Sequence, residues 1–428
     1  MQKESVDRVI APQSLADWLA YLERIHPSVI DMGLERVSAV RDRLGLAPGF
    51  PIITVGGTNG KGSVCAMLEA ILSSAGYRVG LYASPHLLRY NERVRIARRE
   101  VDDAALMRAF ERAESARAPD SLTYFEFGTL AAMDIFIREH VDVAVLEVGL
   151  GGRLDAVNAF DAHCAVVTTV DFDHMDYLGP DRESIAREKA GIFRAQAPAV
   201  CGDEEPPATL TSHAAGIGAP LVLIGRDFGY SAGRSDWHYW SVQGKRSALP
   251  YPSLRGAYQL GNAATALAAL EQLKGVLPVD MGSIRRGLIE VDLRGRFQVM
   301  PGRPMVILDV GHNPHAARGL ADSLRALPAG GRLIAVFAML KDKDIAGVAQ
   351  PLRDQVDEWL VAALPGPRGA DARRVEQALV SIGVSASISR FESAADAYEW
   401  ALRSAAQNDK ILVFGSFFTV GAIVQARG

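Results

Sequence analysis

Short apolar runs alternate along this chain with stretches whose apolar residues recur every three or four positions. The first pattern reads as buried strand, the second as amphipathic helix. The run Ile52–Val55 leads into a loop holding Gly56, Gly57, Gly60 and Gly62. Val64, Met67, Leu68, Ile71 and Leu72 then recur at helical spacing until Gly76. Further strands are expected at Val79–Ala83, Val143–Val148 and Ala165–Val170. Helices are expected at 14–26 (Ser14 as N-cap), 34–44 (stopped by Gly45), Asp102–Arg117, Gly128–His140 and Asp181–Phe193. VAVLEV at 143–148 is continuously apolar, as in a parallel strand covered on both faces.

Residues 198–255 change character: a short strand, the Pro206-Pro207 break, a helix, a strand and then WHYWSVQG, which alternates like an exposed hairpin at a sheet edge. Two helices, Gln259–Lys274 and Gly282–Glu290, close this part. Val291–Pro304, rich in Gly, Pro and Arg, is the best domain boundary. Beyond it the alternation restarts, with strands at Met305–Asp309, Leu333–Phe337, Trp359–Ala363 and Ile411–Phe414. Helices are expected at Pro314–Leu327, Ile345–Val356, Ala372–Ile382 and Ala394–Ala406. The expected fold is α/β: a doubly wound, mostly parallel sheet with a phosphate-binding loop over residues 1–292, a linker or hinge at 293–304, and a smaller Rossmann-like α/β domain over 305–428.

The loop after Val55 carries the first chemistry. Glycines let the backbone bend round a phosphate and point N–H groups at it; the helix N-terminus adds partial positive charge and Lys61 a full one. The match to the strict phosphate-loop pattern is imperfect, because Gly62 separates Lys61 from Ser63 and Val55 stands where the first glycine belongs. A glycine-rich turn between strand and helix is the plainer alternative. Strand, loop, lysine and helix arriving together favour nucleotide phosphates.

Other candidates collect at the C-terminal ends of strands, the edge where open α/β sheets bind ligands. Ser84 follows the second strand, Glu147 lies near the end of the third, and Asp171, Asp173, His174 and Asp176 follow the fourth. A buried carboxylate such as Glu147 needs a partner: a salt bridge in the plain case, a metal or phosphate-bound water in the functional one. Tyr124, Phe125 and Phe127 crowd into LTYFEFG, read as the segment between two helices. A core cluster and an aromatic wall for a flat heterocycle stay equally open. Lys189, taken alone, is an ordinary solvated helix lysine.

At 428 residues and 49% apolar, the chain has material for two or three domains with sizeable cores. Its formal charge of −4 offers no global basic surface to nucleic acid or anionic membrane. The basic run Arg93–Arg99 is broken by Val94, Ile96 and Ala97 and reads as a solvated strand edge or loop. Cys65, Cys164 and Cys201 lie far apart in apolar settings, as free thiols of a reducing compartment do. MQKESVDRVI is too polar for a signal peptide, and the apolar run Ile411–Val424 is too short to span a bilayer. A soluble, cytoplasmic protein is expected, with monomer as the expected state.

GTNGKGS at 57–63, SPHL at 84–87, LTYFEFGT at 122–129, LEVGLGGRLDA at 146–156, DHMDYLG at 173–179, REKAGIF at 187–193, GRF at 295–297 and DVGHNPHA at 309–316 appear in order. Together they resemble the folylpolyglutamate synthases, specifically the bifunctional bacterial dihydrofolate synthase type, within the Mur ligase superfamily. The interrupted phosphate loop is what this family has. The resemblance implies an ATP-dependent ligase of folate biosynthesis and one-carbon metabolism that joins L-glutamate to dihydropteroate and to the tail of reduced folates through an acyl phosphate. It implies that Thr58, Asn59, Gly60, Lys61, Gly62 and Ser63 cradle ATP, with Asn262, Arg296 and Asp309 as further ATP contacts. It implies Ser84, Glu147 and His174 as ligands of Mg²⁺, two ions in all, and a carbamylated Lys189. Val29, Ile30, Asp31 and Met32, then Thr123, Tyr124, Phe125 and Glu126, then Leu154, Asp155 and Ala156 match pteroate-binding segments, which turns the aromatic cluster toward ligand binding. Lys61, Lys189 and His312 are the implied catalytic residues, His312 facing the phosphate or the incoming glutamate. Alternatives are folylpolyglutamate synthase activity alone, a peptidoglycan-precursor ligase, against which LTYFEFGT and Gly62 argue, and a nucleotide switch without ligase chemistry.

Overall fold

The computed structural model describes residues 12–28 and 30–427. Eight strands form one sheet: β1 (Ile52–Gly56), β2 (Val79–Tyr82), β3 (Val94–Ile96), β4 (Arg99–Glu100), β5 (Val143–Glu147), β6 (Cys164–Val167), β7 (Ala199–Cys201) and β8 (Leu221–Leu223), in the order β4-β3-β2-β5-β1-β6-β7-β8. The six strands from β2 to β8 are parallel. The β3–β4 hairpin adds an antiparallel edge. That hairpin holds residues 94–99 of the basic run, as a strand edge, but Arg93 lies in the turn before it, and Arg93 and Arg95 are half-buried rather than solvated, Arg95 pairing with the buried Glu69.

Alternation along the strands sends neighbouring side chains to opposite faces. Ile52, Ala144 and Leu146 join one core with the helices Asp103–Arg117, Tyr124–Arg138 and Arg182–Ala190. Ile53, Val55, Val143 and Val145 join a second core with the helices Lys61–Ser74, Gln259–Gln272 and Met281–Glu290. Both faces are covered, as the continuous apolar strands require. The excursion forms an antiparallel three-stranded sheet, β9 (Phe228–Ala232), β10 (Trp237–Ser241) and β11 (Gly244–Leu249), whose Trp237 and Tyr239 enter the second core.

Six further strands, β12 (Gln298–Met300), β13 (Met305–Asp309), β14 (Leu333–Phe337), β15 (Glu358–Ala362), β16 (Ser387–Phe391) and β17 (Lys410–Phe414), form a second sheet in the order β12-β13-β17-β14-β15-β16. It has its own cores on both faces, one around Phe337, Trp359 and Phe414, the other around Val336, Leu360 and Val413. The structure is thus the α/β fold expected, a large mostly parallel sheet and a second, smaller α/β sheet, with the three-stranded antiparallel sheet in addition. Among the described residues no helix is long and apolar enough to cross a membrane, and all three cysteines are buried and unpaired.

Several boundaries differ from expectation. The helix read as starting at Gly128 begins at Tyr124, because Thr123 and Glu126 cap it reciprocally: Thr123 Oγ1 accepts the Glu126 amide at 3.3 Å and Glu126 Oε2 accepts the Thr123 amide at 2.7 Å. Ser416 and Thr419 lie inside an apolar run that turns out to be a strand followed by the helix Phe417–Arg427. β16 escaped detection because it is a short edge strand with two serines and an arginine, whose Ile388 and Phe391 are only half-buried and pack on opposite faces, so no clear apolar run results. The α-helix at Ile345 stops at Ala349, ahead of Pro351. Within the segment 293–304, Gln298–Met300 forms an antiparallel edge strand of the second sheet.

Gly287 lets the helices Met281–Glu290 and Lys61–Ser74 close: a Cβ there would lie 2.5 Å from Ile71 Cα. Gly287→Ala should therefore cost about 1–3 kcal/mol of stability. Gly216→Ala, in a helix and with nothing within 4 Å of its Cβ, should be neutral or stabilising by about 0.5–1 kcal/mol. Urea midpoints of the two variants check both signs.

Candidate active site

The glycine-rich loop is pinned to the end of β6. The Thr58 amide donates to Thr169 O at 2.7 Å, the Asn59 amide to Thr169 Oγ1 at 3.1 Å, and Thr168 Oγ1 to Asn59 O at 2.6 Å. Thr58 Oγ1 donates to Asp171 O at 3.0 Å. This packing is too close for a side chain at Gly57, whose φ is 139° and whose Cβ would overlap Thr168 Oγ1. Gly60, at φ 89°, is the N-cap of the helix Lys61–Ser74, and Lys61 Nζ lies back over the loop, donating to Gly57 O at 3.0 Å and Thr58 O at 3.1 Å. The loop thus presents a cation and a helix N-terminus together. Ser63 is buried and its hydroxyl accepts from Gln259 Nε2 at 3.3 Å; Asn262 Nδ2 donates to Gln259 Oε1 at 3.0 Å and its Oδ1 abuts Gly60.

The end of β5 supplies Glu147. It is buried, and Oε2 accepts the Ser84 amide at 3.2 Å, which sets Ser84 beside it. Burial raises the Glu147 carboxyl, while Lys61 and then Arg296 pull it back. Beyond β6, His174 takes a left-handed backbone at φ 51°. Burial lowers its imidazole to about 4, so the ring is neutral at physiological pH. Asp173 is buried too, which alone would raise it, yet it is held well below the usual carboxylate range. At neutral pH the responsible charge is Lys343, whose Nζ lies 2.5 Å from Asp173 Oδ1 and 3.5 Å from His174 Nε2. Lys189 is buried without an ion pair or hydrogen bond among the described residues; burial, then Lys61, lower it to about 7.

The second domain reaches this edge. Asn59 and Asn313 exchange side-chain amide hydrogen bonds at 3.1 and 3.0 Å, and Asn313 Nδ2 also donates to Asp173 Oδ2 at 3.2 Å. His312 Nε2 lies 3.8 Å from Asp173 Oδ2, its Nδ1 is 2.9 Å from Val310 O, and burial lowers its imidazole. Asp309 is buried and raised by burial; it takes the Phe297 amide at 2.8 Å, the Gly311 amide at 2.7 Å and the Tyr258 hydroxyl at 3.3 Å. Arg296 lies over the Phe417 ring, 5.0 Å from its centroid, with Gly62 close by.

The three segments matched to pteroate converge near β5. Val29 lies outside the described residues. Arg36 ties Asp31 (2.8 Å) to Glu126 (3.2 Å). Met32 reaches Gly151, and Phe125 lies so close on Gly149 that a Cβ there would be 2.7 Å from Cζ. Asp155 takes the amides of Gly149, Leu150 and Val157 at 2.8–3.1 Å, and burial raises it to about 7. Leu154 and Ala156 flank it. Ile30 is exposed. The aromatic cluster divides: Phe127 is core, whereas Tyr124 and Phe125 are half-buried.

The Mur ligase middle-domain family model matches residues 55–270, and that of the Mur ligase glutamate ligase domain matches residues 295–417. A dihydrofolate synthase/folylpolyglutamate synthase from Escherichia coli is 49% identical, over 97% of this chain and 96% of the relative. The chain belongs to the dihydrofolate synthase/folylpolyglutamate synthase family of Mur ligases. The E. coli FolC structure in complex with DHPP and ADP is similar at a TM-score of 0.93 and 48% identity, covering 97% of this chain and 98% of that one. A Yersinia pestis bifunctional folylpolyglutamate synthase/dihydrofolate synthase complexed with AMPPNP and Mn is similar at 0.91 and 46%, covering 97% and 98%.

Within this Mur ligase frame, sequence reasoning missed Asn313 and Lys343, and it left Asp173 unassigned. Asn313 precedes a proline, the signature of an N-cap that it also is. No local signal marks Lys343, because its partner is far away in sequence. A divalent cation suits the donors present. Glu147 offers Oε1, which takes no hydrogen bond from the described residues, Ser84 a hydroxyl, and His174 a neutral nitrogen. Among the described residues no group of three or more His, Cys, Asp or Glu is placed to hold a metal ion.

A Cβ at Gly60 would combine an unfavourable φ with an approach of 2.5 Å to Asn262 Oδ1. Gly60→Ala should weaken ADP binding by at least about tenfold, roughly 1.4 kcal/mol, measured by calorimetric titration.

Proposed function

We propose that this chain joins L-glutamate to dihydropteroate, giving dihydrofolate, and to the glutamate tail of reduced folates, with ATP converted to ADP and phosphate. The observation that carries the reading is the meeting of Asn59 in the phosphate loop, Asp173 after β6, and Asn313, His312 and Lys343 from the second domain at one sheet edge.

A carboxylate does not form an amide spontaneously in water. The carboxylate oxygen attacks the γ-phosphorus of ATP, ADP leaves, and an acyl phosphate results. The amine of L-glutamate then attacks the acyl carbon, phosphate leaves with the C–O bond electrons, and the amine gives up a proton. Thr58, Asn59, Gly60, Lys61, Gly62 and Ser63 hold the triphosphate, and Lys61 offsets its charge. Asn262, Arg296 and Asp309 complete the ATP site. Ser84, Glu147 and His174 hold Mg²⁺, which when bound neutralises charge on the transferring phosphoryl. The wall of Ile30–Met32, Tyr124, Phe125 and Leu154–Ala156 takes the pteroate, while Thr123 and Glu126 act by capping that wall's helix. His312, uncharged and beside Asp173 and Lys343, faces the phosphate or the incoming glutamate. Dryness matters because water would destroy an acyl phosphate, and the second domain, carried on the 293–304 segment, covers this edge.

Lys189 fits carbamylation. A buried amine lowered to about 7 is substantially unprotonated and nucleophilic toward CO₂, and the carbamate turns a charge repelled by Lys61 into an anion attracted by it. Three buried thiols support a cytoplasmic protein, and the reading takes it as a monomer.

Glutamate-dependent ADP formation tests the function, with dihydropteroate and tetrahydrofolate offered separately. Turnover with both is expected; turnover with tetrahydrofolate alone removes the dihydropteroate activity, and turnover with neither overturns the reading. For Lys189, a carbamate NMR signal from isotopically labelled bicarbonate should appear above about pH 7 and fade below it as the amine protonates. It should be absent from Lys189→Ala; a signal surviving that change refutes the assignment.

A further inference from the structure

Several arginines near the site are already paired: Arg36 with Asp31 and Glu126, Arg153 with Glu188, Arg318 with Asp171. Arg93 has no acidic partner among the described residues. Its Nε donates to His86 Nδ1 at 2.9 Å, and its guanidinium carbon lies 5.3 Å from the Tyr90 ring centroid and 5.4 Å from that of Tyr124. The two terminal nitrogens of Arg93 make no hydrogen bond among the described residues.

The segment that presents Arg93 is tightly built. Glu92 accepts the amides of Leu87, Leu88 and Arg89 at 2.7, 2.8 and 2.7 Å. Asn91 Nδ2 donates to Val101 O at 2.9 Å and Asp103 Oδ1 at 2.8 Å. Arg93 O takes the Ala83 amide at 2.9 Å, next to Ser84. Arg93 therefore stands between Tyr124, on the pteroate wall, and the Ser84–Glu147 pair. A half-buried guanidinium lying against two aromatic rings has lost part of its hydration, and it has no acidic partner among the described residues. Its free fork matches the two oxygens of a carboxylate.

We propose that Arg93 recognises the carboxylate of the acid substrate, its terminal nitrogens taking the two oxygens while Nε stays on His86. The assignment rests on the folate reading above. It makes Arg93 a positioning and specificity-determining residue that turns the reacting carboxylate toward Lys61 and Glu147.

Calorimetric titration without ATP, using dihydropteroate and its carboxamide, tests this. Wild type should prefer the acid by about tenfold or more, the scale of a hydrogen bond to a charged group. Arg93→Gln should lose that preference while binding the carboxamide within about twofold of wild type. Arg93→Lys keeps the charge without the fork and should fall between them; it carries the comparison if Arg93→Gln does not fold. A purely structural arginine would weaken both ligands alike, and that result, or an acid preference retained in both variants, overturns the assignment while leaving the folate reading intact. Binding of neither compound to wild type removes the dihydropteroate site and overturns this proposal with it, while tetrahydrofolate turnover separately decides the folate reading.

Discussion

The attachment of the glycine-rich loop to the end of β6 is the constraint on which the active-site edge depends. Three hydrogen bonds, from the Thr58 amide, the Asn59 amide and the Thr168 hydroxyl, hold residues 58 and 59 in one conformation. That conformation places Lys61 at a helix N-terminus and turns the Asn59 side chain toward the second domain. Substituting Gly57 would push the loop off Thr168, and every later contact at this edge would move with it.

Around that loop the electrostatics are uneven by design of the fold. Glu147 and Asp309 are buried carboxyls raised by burial, His174 and His312 are imidazoles lowered by it, and Lys189 is an amine lowered to about 7. Only Asp173 runs the other way, because Lys343 sits on it. Desolvation thus favours neutral nitrogens and under-compensated carboxyls in one place, an arrangement costly in an empty site and suited to cations and phosphates. Belonging to the Mur ligase family gives that imbalance a chemical use.

Much of this was legible in order along the chain. The strand, glycine loop and helix at 52–74, the capped helices at 15 and 103, and the ends of β2, β5 and β6 followed from periodicity and turn chemistry alone. The errors have physical causes. Thr123 and Glu126 formed a capping box that the aromatics of LTYFEFG disguised as a loop. β16 is an edge strand whose Ile388 and Phe391 are only half-buried, one on each face, so its sequence shows neither an apolar run nor alternation. Phe127 and Phe125 are two residues apart, yet one is core and the other lies on Gly149; spacing on a helix start does not say what packs against it.

By itself the sequence determined which segments are strands buried on both faces, where the backbone must bend round glycine, and which ordered motifs tie the chain to its family. These are local properties, set by period, by φ and by residue type. Only the tertiary structure decided that Lys343 neutralises Asp173, that Asn313 bonds Asn59, and that, among the described residues, Lys189 is buried without a counter-ion and Arg93 lies against Tyr90 and Tyr124 with its fork free. Each depends on groups brought together by strand order and domain contact, and charge, burial and pKa are properties of those surroundings rather than of the residue that carries them.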